Sequence, residues 1–299
     1  MIYKFINLLS AGMLTAIVTY SQDEDLLKGI EKNTTQKEYV TSAFKSTRVI
    51  NGQSMEFLGA GVLDVRILHR FGVLNGGFRN FYGLDQASMR LGFDYGLTNN
   101  LMIGIGRSTL LKELDGFIKF RLIRQSTGPG SSPVSLVLVS GLTVYTYPWA
   151  NPDRKNYFSS RMAYYDEVII GRKFSEKFSI QLSPMFVHRN LVDSAIYDNN
   201  TIATGLGARY KFSKRIAFVL DYHYIFSGKQ PGTVNPLSIG FDIETGGHVF
   251  QLHFSNSQGM NEKAFITTTT DKWSNGDIRF GFNLSRVFSI KNRKDIAVR

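Results

Sequence analysis

The segment Gln86-Ala87-Ser88-Met89-Arg90-Leu91-Gly92-Phe93-Asp94-Tyr95-Gly96-Leu97 alternates without a fault. Successive strand side chains point to opposite faces, so Ala87, Met89, Leu91, Phe93, Tyr95 and Leu97 share one side. Gln86, Ser88, Arg90, Gly92, Asp94 and Gly96 share the other. One face is apolar and aromatic; the other carries isolated charges and glycine. Upstream, Leu63, Val65 and Ile67 oppose Asp64 and Arg66. Downstream, Ile118, Phe120 and Leu122 oppose Lys119 and Arg121, and Phe178, Ile180 and Leu182 oppose Ser179, Gln181 and Ser183. Leu206, Ala208, Tyr210 and Phe212 oppose Gly205, Gly207, Arg209 and Lys211, while Phe218, Leu220, Tyr222 and Tyr224 oppose Ala217, Val219, Asp221 and His223. The split continues with Leu237 to Glu244, Phe250 to Ser255 and Ile278 to Leu284. Segments near 101–109, 134–147 and 160–173 are mixed or apolar on both faces but keep strand-like length and β-branched content. The count is twelve.

The connections are a second test. Those after the second, sixth, eighth and tenth segments are short: 98–100, 175–177, 213–215 and 245–247. Those after odd segments tend to be long, as at 147–159, 189–200, 227–236 and 256–276; Ser126 to Pro133 and the link near Leu110 are medium. Short and long loops alternating along an even-numbered antiparallel meander match an outer-membrane barrel, with tight turns in the periplasm and long loops outside. A secreted β-sandwich would show a strongly polar outer face. Here the polar face is thin, and the broad aromatic face is free of charge, as a lipid-facing band requires. The expected fold is an all-β, antiparallel, up-and-down transmembrane β-barrel of about twelve strands.

Composition agrees. The 299 residues include 23 Phe, 14 Tyr and 28 Gly, which suits an aromatic-rich, tight-turned β protein. Only 20% are charged, too few for a disordered chain with this many aromatics. The absence of Cys removes disulfides, thiolate metal sites and cysteine nucleophiles. Net charge is +11, but the basic residues are spread singly, so nucleic acid is not an expected partner. Met1 to Ser21 has Lys4, an apolar stretch from Phe5 to Val18 and small residues Thr19 and Ser21, the order of a signal peptide. Residues 22–54 then form a periplasmic or lumen-lying segment, 55–288 the barrel and 289–299 a basic tail. Within the N-terminal segment Asp23 to Lys32 reads as a short helix and Phe44 to Ile50 as an extra strand-like stretch before Asn51-Gly52.

The stretches FKSTRVINGQS at 44–54, LDVRILHRFG at 63–72 and FDIETGGHVFQLHFSNSQGMNE at 241–262 resemble a Bacteroidota outer-membrane β-barrel family, a domain of unknown function. The resemblance runs from about Gln22 to Phe288. It implies the barrel fold and the bacterial outer membrane, and no substrate.

Candidate lumen-lining residues are Asp64, Arg66, Arg90, Asp94, Lys119, Arg121, Arg209, Lys211, Asp221, His223, Asp242, Glu244 and Arg279, with Arg70 and Asp277 in the same phase. Charged rings in a pore set ion selectivity; the plainer alternative is that they pair with one another and fill the lumen. Twelve strands lie between barrels just filled by side chains and those with open channels. His253-Phe254-Ser255-Asn256 places an imidazole and a hydroxyl on one face and resembles the site of outer-membrane acyl hydrolases, with Asp277 or Asn256 to orient the His. A polar strand face is the commoner meaning of such a pair, and the reading leans away from an enzyme. No cofactor or metal is expected: His248 and His253 fall on opposite faces. Gly104-Ile105-Gly106 and Gly205-Leu206-Gly207 read as lumen space for Arg or Tyr of neighbouring strands. Met260 to Trp273 reads as a solvated outer loop, or else a lid. The leading expectation is a narrow passive channel or small-solute transporter in contact with outer-membrane lipid. A closed barrel whose N-terminal segment and long loops bind periplasmic or surface proteins is the alternative.

Overall fold

The computed structural model describes residues 36–149, 151–192, 197–245 and 248–290. The expected signal peptide at 1–21, the helix at 23–32 and residues 291–299 of the tail lie outside them.

Twelve strands follow one another along the chain. They are β1 Val62–Val73, β2 Ala87–Gly96, β3 Leu101–Ser108, β4 Glu113–Ile123, β5 Ser135–Tyr145 and β6 Met162–Lys173, then β7 Phe178–Arg189, β8 Asn200–Lys211, β9 Ile216–Ser227, β10 Leu237–Thr245, β11 His248–Ser255 and β12 Arg279–Ser289. Each pairs antiparallel with its chain neighbours, and β12 pairs back onto β1, so the barrel is closed. Closure leaves no sheet edge, which in hydrocarbon would expose backbone groups that nothing can satisfy. The alternating segments of the sequence are these strands. The link between β3 and β4 is tighter than its neighbours on the long-loop side, with Leu111 and Lys112 both left-handed at φ 53° and 49°.

Two parts of the chain enter the barrel. Glu38–Tyr39 pairs with Ser126–Thr127 at the short-turn end, which in outer-membrane barrels faces the periplasm. The chain then turns inward and residues 43–58 form a hairpin inside the lumen, bridged at Arg48 and Gln53 and tied by Val49 N–H to Gly52 O, 2.9 Å. Of the expected N-terminal segment, the described residues thus lie at the rim near Glu38–Tyr39 and inside the lumen from residue 43 onward. From the opposite end the connection between β11 and β12 dips inward and forms helix α1, Glu262–Thr267, packed against β6, β7 and β8. Asn261 caps it, its side chain accepting from Ala264 N at 2.8 Å. The reading of Met260 to Trp273 as a solvated loop is therefore corrected for its first half: Met260, Asn261, Glu262, Ala264, Phe265 and Ile266 are all buried.

Two further expectations change. The inner face is not uniformly Gly, Ser and charge: Val137, Val139, Ile169, Met185 and Val187 point inward and pack with Ala43, Phe44, Met55 and Leu58 of the hairpin. Nor is the outer face free of charge. Arg107, Arg172 and Arg286 sit near strand ends, and Asp166 lies within β6, exposed on the lipid side.

Candidate functional site in the barrel lumen

The site is the contact between lumen wall, hairpin and α1. Strand phase alone turns Asp64, Arg66, Arg70, Arg90, Asp94, Lys119, Arg209, Asp221, His223 and Asp242 inward, and all are buried. Burying so many ions is tolerable only where each finds partners. Arg66 meets Asp64 at 2.5 Å and donates to Ser46 Oγ (2.8 Å) and Thr47 Oγ1 (2.7 Å) of the hairpin. Thr47 donates in turn to Asp94 at 3.3 Å. Arg90 forms a two-point pair with Asp115 of β4. It lies across Gly106 and Gly92, where a Cβ would approach its guanidinium closer than 3 Å, so those glycines make its room. Gly205 does the same under His223. Lys119 donates to the carbonyl of Glu56 at 2.8 Å, and Arg209 stands 3.7 Å from Asp242.

Asp221 holds the hairpin tip. Its Oδ2 accepts from the backbone N–H of Ile50 (3.2 Å), Asn51 (2.7 Å) and Gly52 (2.9 Å). One carboxylate oxygen thus satisfies three successive backbone donors of the turn. Around it the wall of β7 and β10 to β12 completes the tip's hydrogen bonds. Gln181 donates to Gln53 O (2.7 Å), Asn51 Nδ2 to Ser238 Oγ (3.0 Å), Asn283 Nδ2 to Ile50 O (3.0 Å) and Gln251 Nε2 to Val49 O (2.5 Å).

Hairpin and helix meet at Arg48 and Glu262. Arg48 Nη1 lies 2.8 Å from Glu262 Oε1, with both side chains at most 1% exposed, and the same oxygen accepts from Gln53 Nε2 at 3.1 Å. Burial works most strongly against the Arg48 charge, and Arg90 adds to it, but Glu262, Asp94 and Tyr165 together outweigh both, so the guanidinium holds its proton more firmly than a free arginine. Phe265 of α1 packs against His223 with ring centroids 4.8 Å apart and the planes tilted at 50°, and His223 Nδ1 lies 3.4 Å from Asp221. On the outer side, Asn261 and Lys263 both bond to Glu113 at the start of β4.

Not every expected position belongs to this centre. Arg121 stacks over Phe57 at 4.1 Å, and Glu244 pairs with Lys45 at 2.7 Å; both lie half-buried toward the periplasmic mouth, as does Lys211. The mouth holds a cavity of about 290 Å³ between hairpin and wall, edged by Lys45, Glu56, Asp64, Glu244 and His248. Arg279 sits at the other rim, where it ties the inward loop through Asp271 at 2.7 Å. Asp277 is not inward; it binds Asn75 at 2.5 Å and Lys272 N in the outer loops.

His253 and Ser255 are buried and face the lumen, away from any lipid substrate. The Ser255 hydroxyl bonds to Ser238 Oγ (2.8 Å) and accepts from Ser257 N (2.9 Å), whereas His253 finds no hydrogen-bond partner at either ring nitrogen among the described residues. Asn256 anchors the loop instead of orienting the imidazole, donating to Asn235 O and Asp271 O. The geometry does not assemble a nucleophile and its base. Among the described residues no group of three or more His, Asp or Glu is arranged to hold a metal.

The residues that sequence reading missed are Arg48, Asp115, Glu262 and Glu167, the last buried on the inward face of β6. Asp115 shares the phase of Lys119 and was legible in Glu113-Leu114-Asp115-Gly116-Phe117. Glu167 lies in a segment apolar on both faces, and Arg48 and Glu262 lie outside the alternating pattern altogether.

No curated protein matches the chain in sequence. Among solved structures the fold is similar to the NanC porin, at 10% identity and a TM-score of 0.49 over 77% of this chain and 100% of that one. It is similar also to the KdgM porin, at 9% identity and a TM-score of 0.43 over 77% and 99%. The outer membrane channel DcaP of Acinetobacter baumannii matches at 13% identity and a TM-score of 0.32 over 68% and 63%. Residues 44–288, from the hairpin through β12, match a single family in sequence. With its strands closed into a barrel and its apolar face turned outward, the chain belongs to the family described as the membrane bound beta barrel domain, DUF5777.

Proposed function

We propose that this protein is a gated channel for small hydrophilic solutes, closed in the state described, with the hairpin 43–58 and helix α1 as the two halves of its gate. The observation that carries the reading is the uneven bonding of the hairpin. Its base is held by apolar contacts of Ala43, Phe44, Met55 and Leu58, whereas its tip from Thr47 to Gln53 adds Val49 to that apolar cluster but is held mostly by hydrogen bonds and one ion pair. Polar contacts exchange for water at a net cost of only about 0.5–1.5 kcal/mol each, and apolar ones lose their whole burial energy. The tip is thus the part that moves, while the base stays docked. A permanent scaffold has no use for fully buried Arg48, Arg66, Arg70 and Arg90, since apolar side chains of similar volume serve stability as well or better.

The test is single-channel conductance of the refolded full chain in planar bilayers, beside a variant in which Thr47 to Gln53 are replaced by a Gly-Ser linker. The linker variant is expected to open far more often, with steps of uniform size. If it folds into a heat-modifiable barrel and stays as silent as the parent, the channel reading fails and a closed scaffold takes its place.

A further inference from the structure

The lipid-facing belt carries one feature that the lumen does not explain. Arg107, Arg172 and Arg286 lie toward the strand ends, and the latter two stack over Phe174 and Phe288 at 4.9 and 5.0 Å, where long side chains reach the interface. Asp166 is different. It stands four residues inside the outer end of β6 and is exposed, with Ser140 opposite it on β5 and Phe186 opposite it on β7. An outward row above it, Tyr164 with Leu142, separates it from the rim. Among the described residues nothing hydrogen-bonds the Asp166 side chain. One row below, the ladder between β6 and β7 lapses. Glu167 pairs with Met185 and Ile170 with Leu182, but the two positions between them do not pair. Pro184 is the reason, because it brings no N–H to the middle of a strand. On its other side Pro184 neighbours Thr204 of β8. Ser140, Asp166, Pro184 and Thr204 therefore make a polar, small-residue notch. It is rimmed by exposed Leu138, Leu142, Tyr164, Leu182, Phe186 and Ile202.

We infer that this notch on β5 to β8 is where a second copy of the chain docks within the membrane. A carboxylate set in an apolar band is costly unless a donor covers it, and acyl chains have none. Small side chains let two backbones approach closely, which is how contacts form where lipid removes the hydrophobic driving force. The occupant follows from the pairing of groups. A hydroxyl donor, Ser140, sits beside a carboxylate acceptor, Asp166, on neighbouring strands. A two-fold axis through that pair brings Ser140 of each copy to Asp166 of the other, so one patch completes itself, as an isologous interface requires.

The chain has no Cys, so a single introduced thiol reports position cleanly. The full-length variant Leu142→Cys, which keeps Ser140 and stands beside it on the rim of the notch, is reconstituted at low protein-to-lipid ratio and treated with a short bismaleimide, and so is Ile67→Cys, which faces outward on β1. Leu142→Cys is expected to yield severalfold more linked dimer than Ile67→Cys, and adding Asp166→Leu is expected to bring it back to the Ile67→Cys level. Equal linking at both sites, with monomeric mass in detergent, overturns the inference and leaves the notch to lipid or another protein. Strong linking at Leu142→Cys that survives Asp166→Leu overturns the role given to the carboxylate.

Discussion

Replacing Glu262 by Leu removes the acceptor shared by Arg48 and Gln53 while keeping similar volume. In the closed state Arg48 then stays buried with Asn51 O, at 2.7 Å, as its hydrogen-bond acceptor and no direct ion pair among the described residues. Stripping one partner from a buried pair costs about 3–5 kcal/mol, because the remaining charge is desolvated without compensation. Once the tip withdraws, Arg48 is hydrated in parent and variant alike, so the loss falls on the closed state alone. At 1.4 kcal/mol per tenfold, the open-to-closed ratio rises by roughly two to three and a half orders of magnitude. Single-channel recording gives that ratio directly as open probability. The double variant Arg48→Met with Glu262→Leu removes both charges. A buried pair replaced by apolar residues is commonly neutral, so it is expected to close again. With Arg48→Met alone as the fourth corner, these proteins form a cycle whose coupling energy is the strength of the latch. A coupling below about 0.5 kcal/mol, the range of independent sites, refutes the reasoning even if each single variant shows a phenotype.

Asp221→Ala leaves three buried N–H groups of the hairpin tip without an acceptor, at about 1–3 kcal/mol for each, so limited proteolysis of the refolded protein is expected to cut within 47–53 where the parent resists. Gly106→Val places a side chain where the Arg90 guanidinium now lies and displaces it from Asp115; the midpoint of unfolding in urea is expected to fall, by an amount matching about 3 kcal/mol or more. Ser255→Ala loses the bonds to Ser238 and Ser257 and is expected to cost about 1–2 kcal/mol in the same titration. Release of fatty acid from phospholipid vesicles is expected to be no lower for Ser255→Ala than for the parent, and a clear fall would revive the esterase reading.

Strand number and phase were legible because they are local. A two-residue period appears in nine of the twelve segments, so Arg66, Arg90, Lys119, Asp94 and Asp221 could be placed inside before any contact was known. The phase became unreadable where both faces are apolar: in Tyr164-Tyr165-Asp166-Glu167-Val168-Ile169-Ile170 neither Asp166 outside nor Glu167 inside stands out. By itself the sequence determined that this chain forms a membrane barrel and the inward phase of most of its strand charges, since side-chain alternation and the lipid's demand for an apolar face set both. Only the tertiary structure decided that the lumen is filled. The hairpin tip and α1 have no periodicity of their own, and each is buried because of partners far away in sequence. Arg48 and Glu262 are 214 positions apart, and no local pattern encodes a pair whose attraction exists only once the barrel has closed around both.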